Sequence, residues 1–213
     1  MPRRAQTPYA TGMESLRQRL AQRFGPLRWA QRSGDAENWD AEYRRGRWDY
    51  LRSLDELAHH SVIAGYCKFL RAGGAILDLG CGEGVLIDIM DPQAYSEYLG
   101  VDIAPAAVER ALARYNGKRR FVVADISAYQ PPKRFDIVIF NESLYYLSDP
   151  LAVMRHYENY LAADGMFIVS MYLYEKAPLW RRLGAVYDVI DSTAVANKKG
   201  MVWHCKVLQP RIA

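Results

Sequence analysis

Ile76-Leu77-Asp78-Leu79-Gly80-Cys81-Gly82-Glu83-Gly84 is the stretch that decides the fold of this chain. Ala75 to Leu79 is an apolar run of strand length, suited to burial on both faces, and it stops abruptly at three alternating glycines. Val85 to Met90 then turns apolar again and is expected to form a helix packed on the sheet. Only glycines between such elements let a ligand approach the backbone closely, so the run reads as a nucleotide-type binding loop.

The spacing Gly80-x-Gly82-x-Gly84 differs from the dinucleotide fingerprint, whose third glycine comes one place later and which holds a pyrophosphate at a helix start. Asp78 and Glu83 also put negative charge where a diphosphate would lie. A ligand with a cationic amino-acid end and no phosphate suits that charge better, and S-adenosylmethionine is such a ligand. The glycine spacing disfavours an NAD-binding reductase.

Three more strands follow. Tyr98 to Ile103 is short and apolar and carries Asp102 about 20 residues past the glycines, where an acid can bond both hydroxyls of a ribose. Arg119 to Ile126 offers Asp125 as acceptor for an adenine amino group, with Ile126 against the ring. Phe135 to Phe140 runs into Asn141-Glu142-Ser143. A helix opened by Pro105 and carrying Ala107, Val108, Ala111, Leu112 and Tyr115 separates the second and third strands. This alternation implies a mostly parallel sheet.

From about Ala75 to Tyr172 the chain resembles the class I S-adenosylmethionine-dependent methyltransferases, through four stretches in their order: ILDLGCGEG (76–84), GVDI (100–103), VADI (123–126) and FDIVIFNES (135–143). The resemblance implies an α/β fold: a Rossmann-like, seven-stranded, mostly parallel sheet with an antiparallel last strand, helices on both faces and an N-terminal helical lid. It implies S-adenosyl-L-methionine as cofactor and S-adenosyl-L-homocysteine as product. Asp78, Gly80 and Gly82 would then lie against the methionine moiety, Asp102 and Ile103 against ribose and adenine, Asp125 and Ile126 against adenine, and Asn141 near the methionine end. Cys81 belongs to the same loop as a small side chain that fits the turn. Beyond the cofactor half the chain is similar to bacterial methyltransferases of specialised metabolism or saccharide tailoring.

The tail suits that fold. After Asp149-Pro150 a helix carries Leu151, Val153, Met154, Tyr157, Tyr160 and Leu161 and is expected to stop at Asp164-Gly165, with a fifth strand over Gly165 to Tyr172. A short helix over Leu179 to Leu183 precedes Val186 to Ala196 and Met201 to Leu208, which flank the hairpin turn Asn197 to Gly200. Period-two alternation puts Trp203, Cys205 and Val207 on one face of the last strand and His204 and Lys206 on the other.

The chain divides into an N-terminal helical lid or extension over residues 1–60 and a cofactor-binding core over 61–213. Glu14 to Phe24 is expected to be a helix, and Leu54 to Phe69 an amphipathic one. Between them, Trp39 to Leu51 is dense in aromatics and arginine and resembles the lid of small-molecule methyltransferases. Trp39 and Tyr43 would cover the cofactor, whose sulfonium is drawn to aromatic faces. Packing of Trp39, Tyr43 and Trp48 against the core is the alternative reading, and both can hold together.

A chain of 213 residues, 50% hydrophobic, builds one core, and with no bilayer-length apolar run or signal-peptide core it is expected in the cytoplasm, away from membranes. Cys67, Cys81 and Cys205 are reduced core residues by their odd number and wide spacing. His59, His60 and His156 read as helix-surface residues, and no metal is expected. The net charge of +4 gathers in Pro2-Arg3-Arg4, Arg17 to Arg32 and Arg44 to Arg47, but no nucleic-acid module accompanies it, so the expected partner is a small-molecule methyl acceptor.

Methyl transfer needs collinear nucleophile, carbon and sulfur, so positioning and exclusion of water matter most. An alcohol or protonated amine also needs a base, and Glu142, Tyr145 and Tyr146 are the candidate catalytic residues, Glu142 first, as base or as amine-orienting anion. Tyr172, Tyr174 and the stretch from Glu175 to Leu183 could form a substrate wall, in a chain of 15 tyrosines. The acceptor atom stays open between oxygen and nitrogen. An RNA or protein methyltransferase recruited by the basic N-terminal segment, and a non-catalytic scaffold that binds the cofactor, are the alternatives.

Overall fold

The computed structural model of the protein describes residues 36–172 and 177–211. The expected helix over Glu14 to Phe24, the arginines from Arg3 to Arg32, and Tyr174 and Glu175 of the expected substrate wall lie outside the described residues. In chain order the elements are α1 (Ala36–Arg44), a 3-10 turn (Asp49–Arg52), α2 (Leu57–Leu70), β1 (Gly74–Leu79) and a second 3-10 turn (Val85–Asp88). Then come β2 (Tyr95–Asp102), α3 (Pro105–Arg114), β3 (Arg119–Val123), β4 (Phe135–Asn141) and a third 3-10 turn (Leu144–Tyr146). The chain closes with α4 (Pro150–Glu158), β5 (Leu161–Tyr172), α5 (Ala177–Val186), β6 (Tyr187–Ala196) and β7 (Val202–Pro210).

The strands form one seven-stranded sheet in the order β3-β2-β1-β4-β5-β7-β6. β7 runs antiparallel to both its neighbours, and the remaining pairs are parallel. This is the sheet expected from the sequence, with the antiparallel strand inserted between β5 and β6. Alternation along each strand divides the core in two. Leu77, Leu99, Val138 and Phe167 face α4 and α5, where they meet Met154, Tyr157, Trp180 and Leu183. Ile76, Tyr98, Ile137, Ile168, Cys205 and Val207 face α2 and α3, against Ile63, Cys67, Val108 and Ala111. Burial on both faces explains the unbroken apolar runs of β1 and β4, while the rim strands β3 and β6 stay partly exposed.

Three local expectations need correction. The segment after the glycines is a single 3-10 turn instead of a helix, with Ile87 N–H donating to the Gly84 carbonyl and Ile89 N–H to that of Leu86. Pro92 disfavours helical geometry at the residue before it, and β2 begins at Tyr95, so no full helix fits. The helix expected to run to Asp164 ends at Glu158, and β5 starts at Leu161, whose pairing with Phe135 precedes a register shift.

His59 and His60 are not on the surface: they are 0% and 3% exposed. The first turn of α2 lies over β7, His59 stacking on Trp203 with ring centroids 4.7 Å apart. Asp55, two residues before α2, is anchored to the β6–β7 turn, Asn197 Nδ2 donating to its carbonyl at 3.0 Å and Lys199 pairing with its carboxylate. A hairpin distant in sequence therefore covers a helix face that periodicity assigned to solvent. His156 is half-buried, its Nε2 2.8 Å from the Tyr129 carbonyl.

The two-sided core makes a direct test. Phe140 is fully buried and meets Tyr157 edge-on, whereas Phe69 is 88% exposed on α2. Phe140→Ala is expected to cost about 3–5 kcal/mol in urea unfolding, and Phe69→Ala less than about 0.5 kcal/mol.

Candidate active site

The order of the sheet reverses between β1 and β4, so the connections leaving these neighbours go to opposite sides and open a crevice at their carboxyl ends. The glycine loop follows β1 there, and Asn141-Glu142-Ser143 follows β4. The two loops touch. Gly80 has φ +78°, and a Cβ on it would stand 2.5 Å from that of Ser143, whose Oγ donates to the Leu79 carbonyl at 2.6 Å.

The amides of Gly80, Cys81, Gly82 and Gly84 are spent within the protein. Gly80 and Cys81 N–H groups both donate to the Val101 carbonyl, at 2.8 and 3.1 Å, and Gly82 N–H donates to Asp102 Oδ2 at 2.8 Å. Ala104 N–H holds the other Asp102 oxygen at 2.9 Å. Burial raises the Asp102 carboxyl above its ordinary range against the pull of these donors. A loop whose amides are so committed is a poor phosphate cradle.

Asp78 lies beneath the loop on the α2 side, where Tyr98 Oη donates to its Oδ2 at 2.5 Å. Its Oδ1 is buried without a partner, and burial pushes the carboxyl up to about 7. Asn141 Oδ1 at the end of β4 is likewise buried and unpartnered. Cys81 is buried, with a thiol raised well above its usual value, which suits a packing residue and not a nucleophile. Glu83, read from the sequence as a partner for a cationic ligand, is instead bonded by Arg110 and lies 3.6 Å from Arg52.

The adenine candidates sit one strand further out. The Asp102 carbonyl accepts from Ala124 N–H at 2.9 Å, which draws the end of β3 alongside that of β2. Asp125 is exposed there, its Oδ1 accepting from Ser127 N–H at 2.8 Å. Ile126 is buried, with its carbonyl bonded by Tyr157 Oη, and Ile103 is half-buried.

Over the crevice lies α1. The Tyr43 hydroxyl would be 2.6 Å from a Cβ on Gly82. Trp39 meets Tyr146 edge-on at 4.9 Å and lies 5.6 Å from Trp48, and Tyr146 packs on Tyr145 at 4.5 Å, so aromatic contacts run from α1 to the loop after β4. Asp40 Oδ1 accepts the Ala106 N–H in the first turn of α3 at 2.6 Å, seating α1 on a helix start that favours a carboxylate.

Among the described residues Glu142 is the non-glycine residue with positive φ, +56°. Such a conformation costs energy and marks a site where geometry is imposed. Its carboxylate accepts from Tyr145 Oη at 2.8 Å, Tyr172 N–H at 3.1 Å and Ser170 Oγ at 3.2 Å, all uncharged donors. Burial pushes it up to about 7, and the nearby Glu56 carboxylate adds to the rise. Ser170 and Glu56 escaped the sequence reading. Ser170 is the polar break in the apolar run Met166 to Met171 and could have been noticed, whereas Glu56 reaches the site only through the tertiary fold.

Glu142, Tyr145, Tyr146, Trp39 and Tyr43 thus gather with Gly80, Gly82, Asp102 and Asn141 at one end of the sheet. The set offers acceptors and aromatic faces, and the arginines beside the loop, Arg52 and Arg110, are engaged by Glu83, Asp88 and Asp49. That donor set fits a cationic, hydroxyl-bearing ligand without phosphate.

Comparison with known proteins agrees. Residues 37–209 match the family described as methyltransferase domain. The chain is 38% identical over 87 residues to a ribosomal protein L11 methyltransferase of Cupriavidus pinatubonensis, covering 40% of this chain and 27% of that one. It is 33% identical over 122 residues to a ubiquinone biosynthesis O-methyltransferase of Pseudomonas paraeruginosa, covering 54% and 52%. The chain therefore spans about half the length, or less, of these curated relatives. In fold it is similar to the N-methyltransferase NodS of Bradyrhizobium japonicum solved with S-adenosyl-L-homocysteine, with a TM-score of 0.69 and 15% identity over 83% of this chain and 98% of that one.

The buried titratable groups oppose one another. His59 and His60 are held down to about 2 and about 4 by desolvation, below the ordinary 6.5, so over about pH 4 to 6.5 the unfolded chain binds their protons and stability rises with pH. Glu142 is raised from 4.5 to about 7 and Asp78 from 3.8 to about 7, so over that window the folded chain keeps their protons and these groups make stability fall with pH. In urea titrations at several pH values, Glu142→Gln should shift the slope of stability against pH in the positive direction across this interval. Identical slopes in the two proteins would remove the assignment.

Proposed function

This chain belongs to the methyltransferase domain family, and we propose that it binds S-adenosylmethionine and transfers the methyl group to an oxygen or nitrogen of a small-molecule acceptor. The observation that carries this reading is Glu142, strained and partly enclosed beside a glycine loop whose amides are unavailable to phosphate. When bound, the cofactor would supply a methyl carbon on a sulfonium, open to in-line attack by the acceptor's lone pair as the carbon–sulfur bond breaks and its electron pair goes to sulfur.

The chain's own residues bind, orient and accept a proton. Asp102, held by Gly82 and Ala104 amides, presents its remaining lone pairs to ribose hydroxyls. Asn141 Oδ1 and Asp78 Oδ1 are the unpartnered acceptors nearest the loop, suited to an ammonium. Asp125 and Ile126 form the adenine end, and Trp39 and Tyr43 cover the crevice and keep water from the reacting atoms. Glu142, poised at about 7, takes the proton that an alcohol or protonated amine releases, or orients the amine while ionised. Tyr145, whose hydroxyl bonds that carboxylate, and Tyr146 bound the acceptor.

A protein or RNA acceptor is the second reading, favoured by the likeness to the L11 methyltransferase. It requires binding that weakens steeply with salt if phosphates are contacted.

Isothermal titration with S-adenosylmethionine, S-adenosylhomocysteine and NADH is expected to show micromolar binding of the first two and none of the third. Asp102→Ala should weaken both by about 1.5–3 kcal/mol, since ribose hydroxyls lose a charged acceptor. With an acceptor found by screening phenols, carboxylic acids and amines, Glu142→Gln should lower kcat while leaving S-adenosylhomocysteine affinity unchanged. Full kcat in that variant would make Glu142 structural.

A further inference from the structure

Arg110 of α3 touches the covering segment over the crevice at two places and the glycine loop at a third. Its Nη2 donates to the Tyr43 carbonyl at 2.7 Å, at the end of α1. Its Nη1 reaches Asp49 Oδ1 at 3.3 Å, where the lid's 3-10 turn begins, and also bonds Glu83 Oε1 in the glycine loop. Glu83 is only 5% exposed, so losing this pair would strip a buried carboxylate of its shortest ion-pair contact. Arg52, at the end of the same 3-10 turn, lies 3.6 Å from Glu83 Oε2 and pairs with Asp88 just past the loop. Tyr43 is therefore gripped by its carbonyl from α3 while its hydroxyl rests on Gly82.

We propose that Arg110 is a positioning residue for cofactor binding: through Glu83 and the Tyr43 carbonyl it couples closure of the lid to the conformation of the glycine loop. This rests on the cofactor reading given above. In the closed arrangement one guanidinium satisfies the loop carboxylate and the lid carbonyl together. With that guanidinium gone, Glu83 is left with its longer contact to Arg52, the lid is left with the Asp40 bond to the first turn of α3, and the binding-competent form falls to a fraction of the population. Apparent affinity drops by that fraction even though Arg110 itself need touch no ligand. Neutralising Glu83 breaks the same link from the other side, so the two changes act through one step.

The test measures S-adenosylhomocysteine affinity by calorimetry for the wild type, Arg110→Met, Glu83→Gln, the double variant and Arg110→Lys, with hydrogen exchange over residues 39–52 in the ligand-free proteins. Each single loss is expected to weaken binding about tenfold, and the double variant by about the same amount as the worse single one, since both remove one coupling. Arg110→Lys keeps a charge for Glu83 but not the fork that also reaches Tyr43, and should fall between wild type and Arg110→Met. Exchange over residues 39–52 should rise in Arg110→Met and in Glu83→Gln alike. Unchanged affinity in Arg110→Met, or losses that add in the double variant, overturns the proposal alone. Should Arg110→Met not fold, Arg110→Lys and Glu83→Gln carry the comparison, and wild-type affinity in both overturns it. A wild type that binds no S-adenosylhomocysteine overturns the cofactor reading and this proposal with it.

Discussion

The hydrogen bond from Gly82 N–H to the Asp102 carboxylate holds this site together. It joins the loop after β1 to the end of β2, and the second bond from Ala104 N–H carries the same carboxylate into the start of α3. A buried anion needs such donors, and their cost to the loop is that Gly82 can offer its amide to no phosphate. The loop's charge preference is thus built into its own bonding. From this point the other parts take their places: α1 seats Asp40 on the first turn of α3, and Tyr43 closes on the glycine that the bond has fixed.

The crevice is also shaped by crowding between the loops that follow β1 and β4. Ser143 sits where any side chain at position 80 would be, so the two loops occupy one another's space and neither can shift alone. The residue just before Ser143 absorbs the resulting turn as a positive φ, which brings the Glu142 carboxylate to Ser170, Tyr172 and Tyr145. Burial raises this carboxyl to about 7 against the pull of three uncharged donors, into the range a proton acceptor needs. The same burial that raises this carboxyl lowers the two histidines of α2, so one desolvated end of the sheet contains groups pushed in opposite directions.

Most of the architecture was legible because it rests on local patterns. Two-sided burial leaves unbroken apolar runs, alternation marks the half-covered strand β7, and glycine at a loop needing positive φ has few substitutes. Asp102 and Asp125 could be singled out for the same reason, since each follows an apolar run at a strand's end. The departures come from contacts that cross the chain. His59 and His60 were assigned to solvent because the residues that bury them, Trp203 among them, lie more than a hundred positions away. The helix expected after Gly84 gave way to a single turn because Pro92 and the nearby start of β2 leave no room for it.

By itself the sequence determined the parallel sheet, the position of its glycine loop, the acid at the end of β2 and the family to which the chain is similar, all features written within a few residues of one another. Only the tertiary structure decided what those side chains face. Glu83, a free acid on paper, is taken up by arginines 27 and 31 positions away, and Glu142 takes two of its three donors, Ser170 and Tyr172, from β5. The physical reason is that charge and burial are properties of an environment: a carboxylate's titration, its partners and its availability to a ligand depend on which distant strands and helices exclude water around it.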